Sequence, residues 1–245
     1  MALILREMST RYGRSPGGYI WAILEPLGAI LLLGIGFSLV IRNPPLGNNF
    51  LLFYATGFLA FNLYQNLSTL IARSINFSRA LLFYPAVSWV DAILARFLLN
   101  SLTGVLITYI LLTGILLTIN TRTVLDIWPV IQAMALAMLL GLGVGTLNCA
   151  LIGLIQVWDQ VWSIATRPLF LASGIIFLYE DLPQTAQSIL YYNPLMHITG
   201  LMRTGFYPMY NPQYIDIPFV ILASLVPLFL GLVLLGRFHR YILNF

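Results

Sequence analysis

The chain has 245 residues, 60% hydrophobic and only 8% charged, with a formal net charge of +4. Soluble domains carry about 25% charged residues, and an aromatic content of 13% excludes a disordered or fibrous chain, so a single integral membrane domain is the class that remains. All 12 basic residues are Arg and none is Lys; this excludes ATP binding through a P-loop, which needs a Lys on the phosphates, and a pyridoxal Schiff base.

Met1–Leu5 run straight into Arg6, too short an apolar stretch for a cleaved leader. Residues 4–12 suit a short amphipathic helix: Ile4, Leu5, Met8 and Tyr12 share one side, and Glu7 and Arg11 form a favourable i,i+4 pair. Gly13, Pro16, Gly17 and Gly18 end it. This segment, within residues 1–18, is expected to lie along the inner membrane surface, either as an anchor or as a docking helix for a cytoplasmic partner.

Six apolar runs follow, and a helix of about 20 apolar residues crosses the ~30 Å core of a bilayer. They place spans over 20–41, 50–72, 92–119, 128–157, 161–178 and 217–236. Glu25 lies inside the first, either snorkelling to the interface or paired with an Arg of a cytoplasmic loop. Between spans two and three, residues 73–90 read as a loop carrying Arg73 and Arg79; it is an ordinary basic loop or the contact for a motor. In span four, Gly141, Gly145, Cys149 and Gly153 recur every four residues, a small-residue ridge that lets a neighbouring helix approach, in the same chain or in a second copy. Cys149 reads as inert packing. Residues 179–216 hold two short helices, Gln184–Tyr192 and Leu195–Gly205, broken at Asn193-Pro194; they dip into the outer leaflet or rest on its surface.

With the N-terminus in the cytoplasm, Arg6, Arg11, Arg14, Arg73, Arg79, Arg96, Arg167, Arg237 and Arg240 fall at or near the inner face, against Arg42, Arg122 and Arg203 outside. This bias fixes the orientation and brings the C-terminus back to the cytoplasm. The predicted fold is therefore an all-α membrane domain of six spans, with an N-terminal interface helix and two short outer-face or re-entrant helices before the last span.

No chemistry converges. The two His, His197 and His239, and the one Cys make no zinc-ligand spacing, so neither a metal nor a cofactor is expected in this chain. Glu180-Asp181 is the sole acidic cluster, and neighbouring helix positions diverge, which argues against a multi-pass transferase. No span carries the ring of charges or glycine filter of a channel.

Three stretches resemble one family, and the resemblance covers essentially the whole chain. Arg6-Glu7, Arg11-Tyr12-Gly13, Gly18-Tyr19-Ile20-Trp21 and Glu25-Pro26 resemble the start of ABC-2-type permeases. Trp158-Asp159, Arg167-Pro168-Leu169-Phe170 and Ser173-Gly174-Ile175-Ile176-Phe177 are similar to the fifth-span region of polysaccharide-exporting members. Tyr192-Asn193-Pro194-Leu195, His197 and Gly200 to Pro208 resemble the outer-face motif of capsular polysaccharide exporters. The resemblance implies a homodimer in the bacterial inner membrane that works with two copies of a separate ATPase subunit. That subunit would hold ATP and Mg. The substrate implied is a lipid-linked polysaccharide, passed on to periplasmic or outer-membrane components, with no nucleic acid involved. A permease for O-antigen, teichoic acid, lipid or drug is the alternative.

On this reading Arg6, Glu7, Arg11, Arg73 and Arg79 contact the ATPase. A glycan path needs rings for sugar CH faces, so Trp158, Trp162, Tyr179, Tyr191 and Tyr192 are its candidates, with Tyr54 and Tyr64; interface anchoring is the alternative for each. Arg203 is either an outer-gate cation for an acidic polymer or the partner of Asp216 or Glu180. His197 is expected to make packing or polar contacts.

Overall fold

The computed structural model describes residues 18–84, 87–119 and 124–244, so the helix expected over residues 4–12, with Arg6, Glu7 and Arg11, lies outside the described residues. The regular structure among the described residues is all helix, with no strand. In chain order the helices are α1 (Tyr19–Val40), α2 (Phe50–Ala72), α3 (Ser74–Leu82), α4 (Trp89–Thr118), α5 (Ile127–Leu154), α6 (Trp158–Ala172), α7 (Gln184–Leu190), α8 (Pro194–Thr204) and α9 (Ile217–Asn244), with a 3₁₀ turn at Tyr179–Asp181.

Side chains punctuate the long helices. Asn49 accepts hydrogen bonds from the Leu51 and Leu52 amides to start α2. Ser88 and Asp91 cap α4 reciprocally, which moves its start to Trp89, ahead of the expected residue 92. Asp126 accepts from the Trp128 amide to start α5.

Among the described residues, four helices are long and apolar enough to cross a membrane: Ile20–Ser38, Trp89–Thr118, Ile127–Leu154 and Ile217–Leu243. The other two expected spans differ for distinct reasons. Helix α2 has 23 residues, about 35 Å of helix, but Asn62, Gln65, Asn66, Ser68 and Thr69 dilute its apolar character. Helix α6 has 15 residues, about 22 Å. It ends at Ala172, six residues before the expected end at 178, where Ser173 and Gly174 (φ 69°) leave helical geometry. Helix α5 stops at Leu154, short of 157, and α9 runs on past 236 to Asn244. The loop expected over 73–90 instead contains α3, whose buried side is Ser74, Ile75 and Ser78.

The core is a three-helix slab. Helix α5 lies between α2 and α9, and α2 also carries α1, α4 and α8 on its other sides. Glycine makes the closest approaches possible. A Cβ on Gly141 would stand 2.8 Å from Leu67 Cβ, and one on Gly145 2.8 Å from Ile71 Cβ, both on α2. Gly143 faces the Ser224 carbonyl of α9, and Gly153 faces Ile242 of the same helix. Cys149 is buried with its Sγ 3.5 Å from Ser74 Oγ of α3. The ridge therefore packs within this chain, its glycines dividing between two neighbours. Helices α6 and α7 stand outside this close packing: none of their residues is buried.

Candidate functional site

Because the long helices alternate in direction, residues far apart in sequence gather at two ends of the bundle. The first end collects around α3. Arg73, at the α2–α3 junction, places Nη2 3.3 and 3.2 Å from the two carboxylate oxygens of Asp159 in the first turn of α6. Arg79 donates from Nε and Nη2 to the Leu243 carbonyl at the end of α9, at 3.2 and 2.9 Å. Arg96 of α4 is buried, donates from Nη1 to the Leu70 carbonyl at 2.6 Å and lies 4.3 Å over the Phe77 ring. Helix α3 is thus tied to α6 and α9 and packed on α4 and α2. Phe83 and Tyr84, at its far end, are exposed.

The expected path residues Trp158 and Trp162 sit at this same end. Trp158 Nε1 donates to Asn148 Oδ1 at 2.8 Å, and the two indoles stack with centroids 6.5 Å apart. Arg167, which the positive-inside count puts at the inner face, is the tenth residue of α6 and exposed, about 13 Å along the helix from its start.

The second end is organised by α8. Where α6 unwinds, its carbonyls need donors, and α8 supplies them in register. Asn193 Nδ2 donates to the Ala172 carbonyl (2.8 Å), Thr199 Oγ1 to that of Ser173 (2.8 Å), and Arg203 Nη2 and Nη1 to those of Ile175 and Phe177 (2.9 and 3.2 Å). Asn193 also caps α8, accepting from the Leu195 amide. The Arg203 guanidinium lies 4.1 Å over the Phe53 ring, and the residue is only 1% exposed. It forms no ion pair with Glu180 or Asp216: Glu180 Oε2 accepts from the Tyr210 hydroxyl and Asp216 Oδ1 from the Phe219 amide. Arg203 is a buried clamp here rather than a cation presented to a permeating polymer.

His197 is equally enclosed. Its Nδ1 accepts from the Asp216 amide at 3.0 Å, which leaves Nε2 to carry the proton and donate to the Tyr191 carbonyl at 2.7 Å. One neutral tautomer thereby joins three segments. Burial holds its pKa below the ordinary value, and the hydrogen bond to the Tyr191 carbonyl and the Asp216 charge oppose that shift only in part. Tyr191, Tyr214 and Phe219 ring the imidazole. Tyr179 stacks on Tyr214 at 4.1 Å and donates to the Gln187 carbonyl. Burial pushes the Tyr214 phenol up to about 12. Of the expected path residues at this end, Tyr179 and Tyr191 are half-buried in the cluster, and Tyr192 is exposed. Tyr54 and Tyr64 are core residues.

Between the ends lies a feature that none of the aromatic path candidates marks. A groove of about 370 Å³ opens between α1, α2 and α4, lined by Glu25, Asn62, Asn66, Asn100, Thr103 and Thr108 over a floor of Leu and Ile. Asn62 and Asn66 stand one turn apart on α2, with Asn66 Nδ2 3.2 Å from Asn62 Oδ1. Amides inside apolar helices were the available signal.

The profile of the ABC-2 type transporter family matches residues 1–207. The chain is 31% identical over 234 residues to the polysialic acid transport protein KpsM of Escherichia coli, covering 95% of this chain and 90% of that protein. It is 29% identical over 240 residues to the capsule polysaccharide export inner-membrane protein CtrC of Neisseria meningitidis serogroup A, and 30% identical over the same length to BexB of Haemophilus influenzae, which bears the same description. Each of these two alignments covers 98% of this chain and 90% of the relative.

Proposed function

The chain belongs to the ABC-2 type transporter family, and from that premise we propose that it is the membrane subunit of an exporter carrying capsular polysaccharide across a bacterial inner membrane. The observation that carries this reading is the extent of the similarity: relatives described as capsule export or polysialic acid transport proteins align with 95% to 98% of the chain. Four apolar helices of spanning length agree with residence in a membrane. Helix α2, and α6 extended by the clamped segment 173–178, complete six crossings, with both termini in the cytoplasm. The grouping of Arg73, Arg79, Arg96, Arg237 and Arg240 toward the α3 end supports that orientation.

The chain has no Lys for a P-loop, so the energy for export comes from a separate ATPase subunit that holds ATP and Mg. Helix α3, with its exposed Phe83 and Tyr84, is the surface that receives that subunit, together with Arg6, Glu7 and Arg11. Displacement of α3 passes to α6 through Arg73–Asp159 and to α9 through Arg79. At the far end of α6 the clamp of Asn193, Thr199 and Arg203 passes it on to α8, so α6 acts as a strut and α7 and α8 as the outer gate. Two copies complete the machine, with the unburied faces of α6 available to the second copy.

The test is complementation. The chain is expressed with its ATPase in a strain lacking its own capsule permease, and surface polymer is measured. Surface polymer that appears only with an ATPase able to hydrolyse ATP supports the proposal. Unexported polymer in the presence of assembled, ATP-hydrolysing complex refutes it.

A further inference from the structure

We infer that the groove between α1, α2 and α4 is a hydrated subsite that holds hydroxyl groups of the glycan at mid-membrane depth, on the side from which the glycan arrives. This rests on the function proposed above. Three observations carry it. First, the groove is polar at a depth where lipid would not tolerate it. Asn62 is the thirteenth residue of the 23 in α2, about 15 Å from the Ala72 end, and Glu25 and Asn66 are exposed in this protomer. A carboxylate and open amides facing hydrocarbon are costly, so water or a polar ligand fills the space.

Second, the lining matches hydroxyls. Asn62 and Asn66 are joined by one amide–amide hydrogen bond. An amide has two donors and an acceptor with two lone pairs, so the pair still presents both donors and acceptors, side by side and one helical turn apart. A vicinal diol, which also donates and accepts at adjacent atoms, complements that arrangement. Glu25 adds an acceptor across the groove. Third, the volume of about 370 Å³ falls in the range of small-molecule sites, roughly 300–1,000 Å³, and an apolar floor with a few placed polar groups is the usual construction of such sites.

A phosphatidylglycerol headgroup presents the same polyol chemistry, and the experiment separates it from glycan. Cys149 is the one cysteine, so Cys149→Ala gives a thiol-free background. Into it go Asn66→Cys, Thr103→Cys as a second groove position, and Leu102→Cys as the adjacent lipid-facing control, which is 71% exposed. The whole exporter is kept, and inside-out vesicles receive a charged, water-soluble methanethiosulfonate. Thiols react as thiolates, which form in water and not in hydrocarbon, so the groove cysteines are expected to label at least about tenfold faster than Leu102→Cys. Labelling is then compared in vesicles from cells making the polymer, in vesicles from cells whose polymer synthesis is blocked, and in glycan-free proteoliposomes of low and high phosphatidylglycerol content.

Slower labelling only where polymer is present is the expected result. Groove cysteines as slow as the control in glycan-free vesicles, labelling indifferent to polymer, or slowing by phosphatidylglycerol alone would each overturn the inference. If wild type exports polymer while one of these outcomes is seen, only this inference fails; if wild type exports none, the function itself fails.

Discussion

Arg203 Nη2 donates to the carbonyl of Ile175 at 2.9 Å, reaching across 28 residues of sequence to a segment that has just left helical geometry. The guanidinium also takes the Phe177 carbonyl and covers the Phe53 ring. One side chain of α8 thereby holds the end of α6 against α2. Burial of an arginine without a carboxylate is affordable because its planar fork meets two carbonyls and a ring face at once.

Arg203→Met should be strongly destabilising. It strands the buried Ile175 carbonyl at about 1–3 kcal/mol, frees the part-buried Phe177 carbonyl and removes a cation–π contact of about 0.5–2 kcal/mol. Arg203→Lys should recover little, since an ammonium cannot span both carbonyls. Thermal unfolding of the purified membrane protein, with yield of the assembled complex, measures both. A wild-type melting profile for Arg203→Met would contradict the clamp.

Reversal of the Arg73–Asp159 pair should affect coupling and not folding. Both side chains are about half exposed, at 57% and 45%, and such a pair contributes about 0–1 kcal/mol to stability. Arg73→Asp and Asp159→Arg should each fold and bind the ATPase yet lose stimulated hydrolysis. The double exchange should regain a substantial part of it. Stimulation unchanged in the single variants would remove this link from the mechanism.

Gly145→Leu should prevent correct assembly of the bundle. A Cβ there already meets Ile71 Cβ at 2.8 Å and the Ser68 carbonyl at 3.0 Å, and overpacking by less than a Leu side chain costs about 1–3 kcal/mol. Gly28→Ala is the control, because a Cβ at Gly28 has nothing within 4 Å. Yield of monodisperse protein in detergent distinguishes the two.

His197 should make the α8 end of the bundle acid-sensitive. Its folded-state pKa is held down, so protons bind the unfolded chain more readily. The stabilisation is therefore complete above the unfolded value of about 6.5 and is lost as pH falls below it. The slope is at most about 1.4 kcal/mol per pH unit, until the lowered folded pKa is reached. Protonation would also turn Nδ1 from acceptor to donor against the Asp216 amide. Melting temperature between pH 8 and pH 5 should fall less for His197→Gln than for wild type. Parallel curves for the two proteins would exclude His197 as the source.

Much of this architecture was legible in the chain alone. The membrane class, the approximate limits of the long helices, the two short helices flanking Asn193-Pro194 and the close-packing role of Gly141, Gly145 and Gly153 follow from apolar run length, proline and glycine. These signals are local, and helix geometry converts them directly into structure. Helix α3 does not stand out in the sequence because its nine residues are too few for a periodic pattern, and its stability comes from the helices that it packs on. Aromatic residues are the conspicuous candidates for a path in the sequence, whereas Trp158, Tyr179 and Tyr191 are held in hydrogen bonds or ring clusters. The amides of the groove lie on two helices far apart in sequence, so no single stretch marks them.

Sequence by itself determined that this protein dissolves in lipid, since no soluble fold can enclose so many long apolar helices, and that it carries no P-loop, since it has no Lys. Tertiary structure alone decided the meeting of distant polar groups: Arg73 with Asp159, Arg203 with the unwound end of α6, His197 between Tyr191 and Asp216, and Asn62 and Asn66 opposite Glu25. Those encounters depend on which helix faces which, and that choice is made by packing across the whole bundle rather than by any stretch of it.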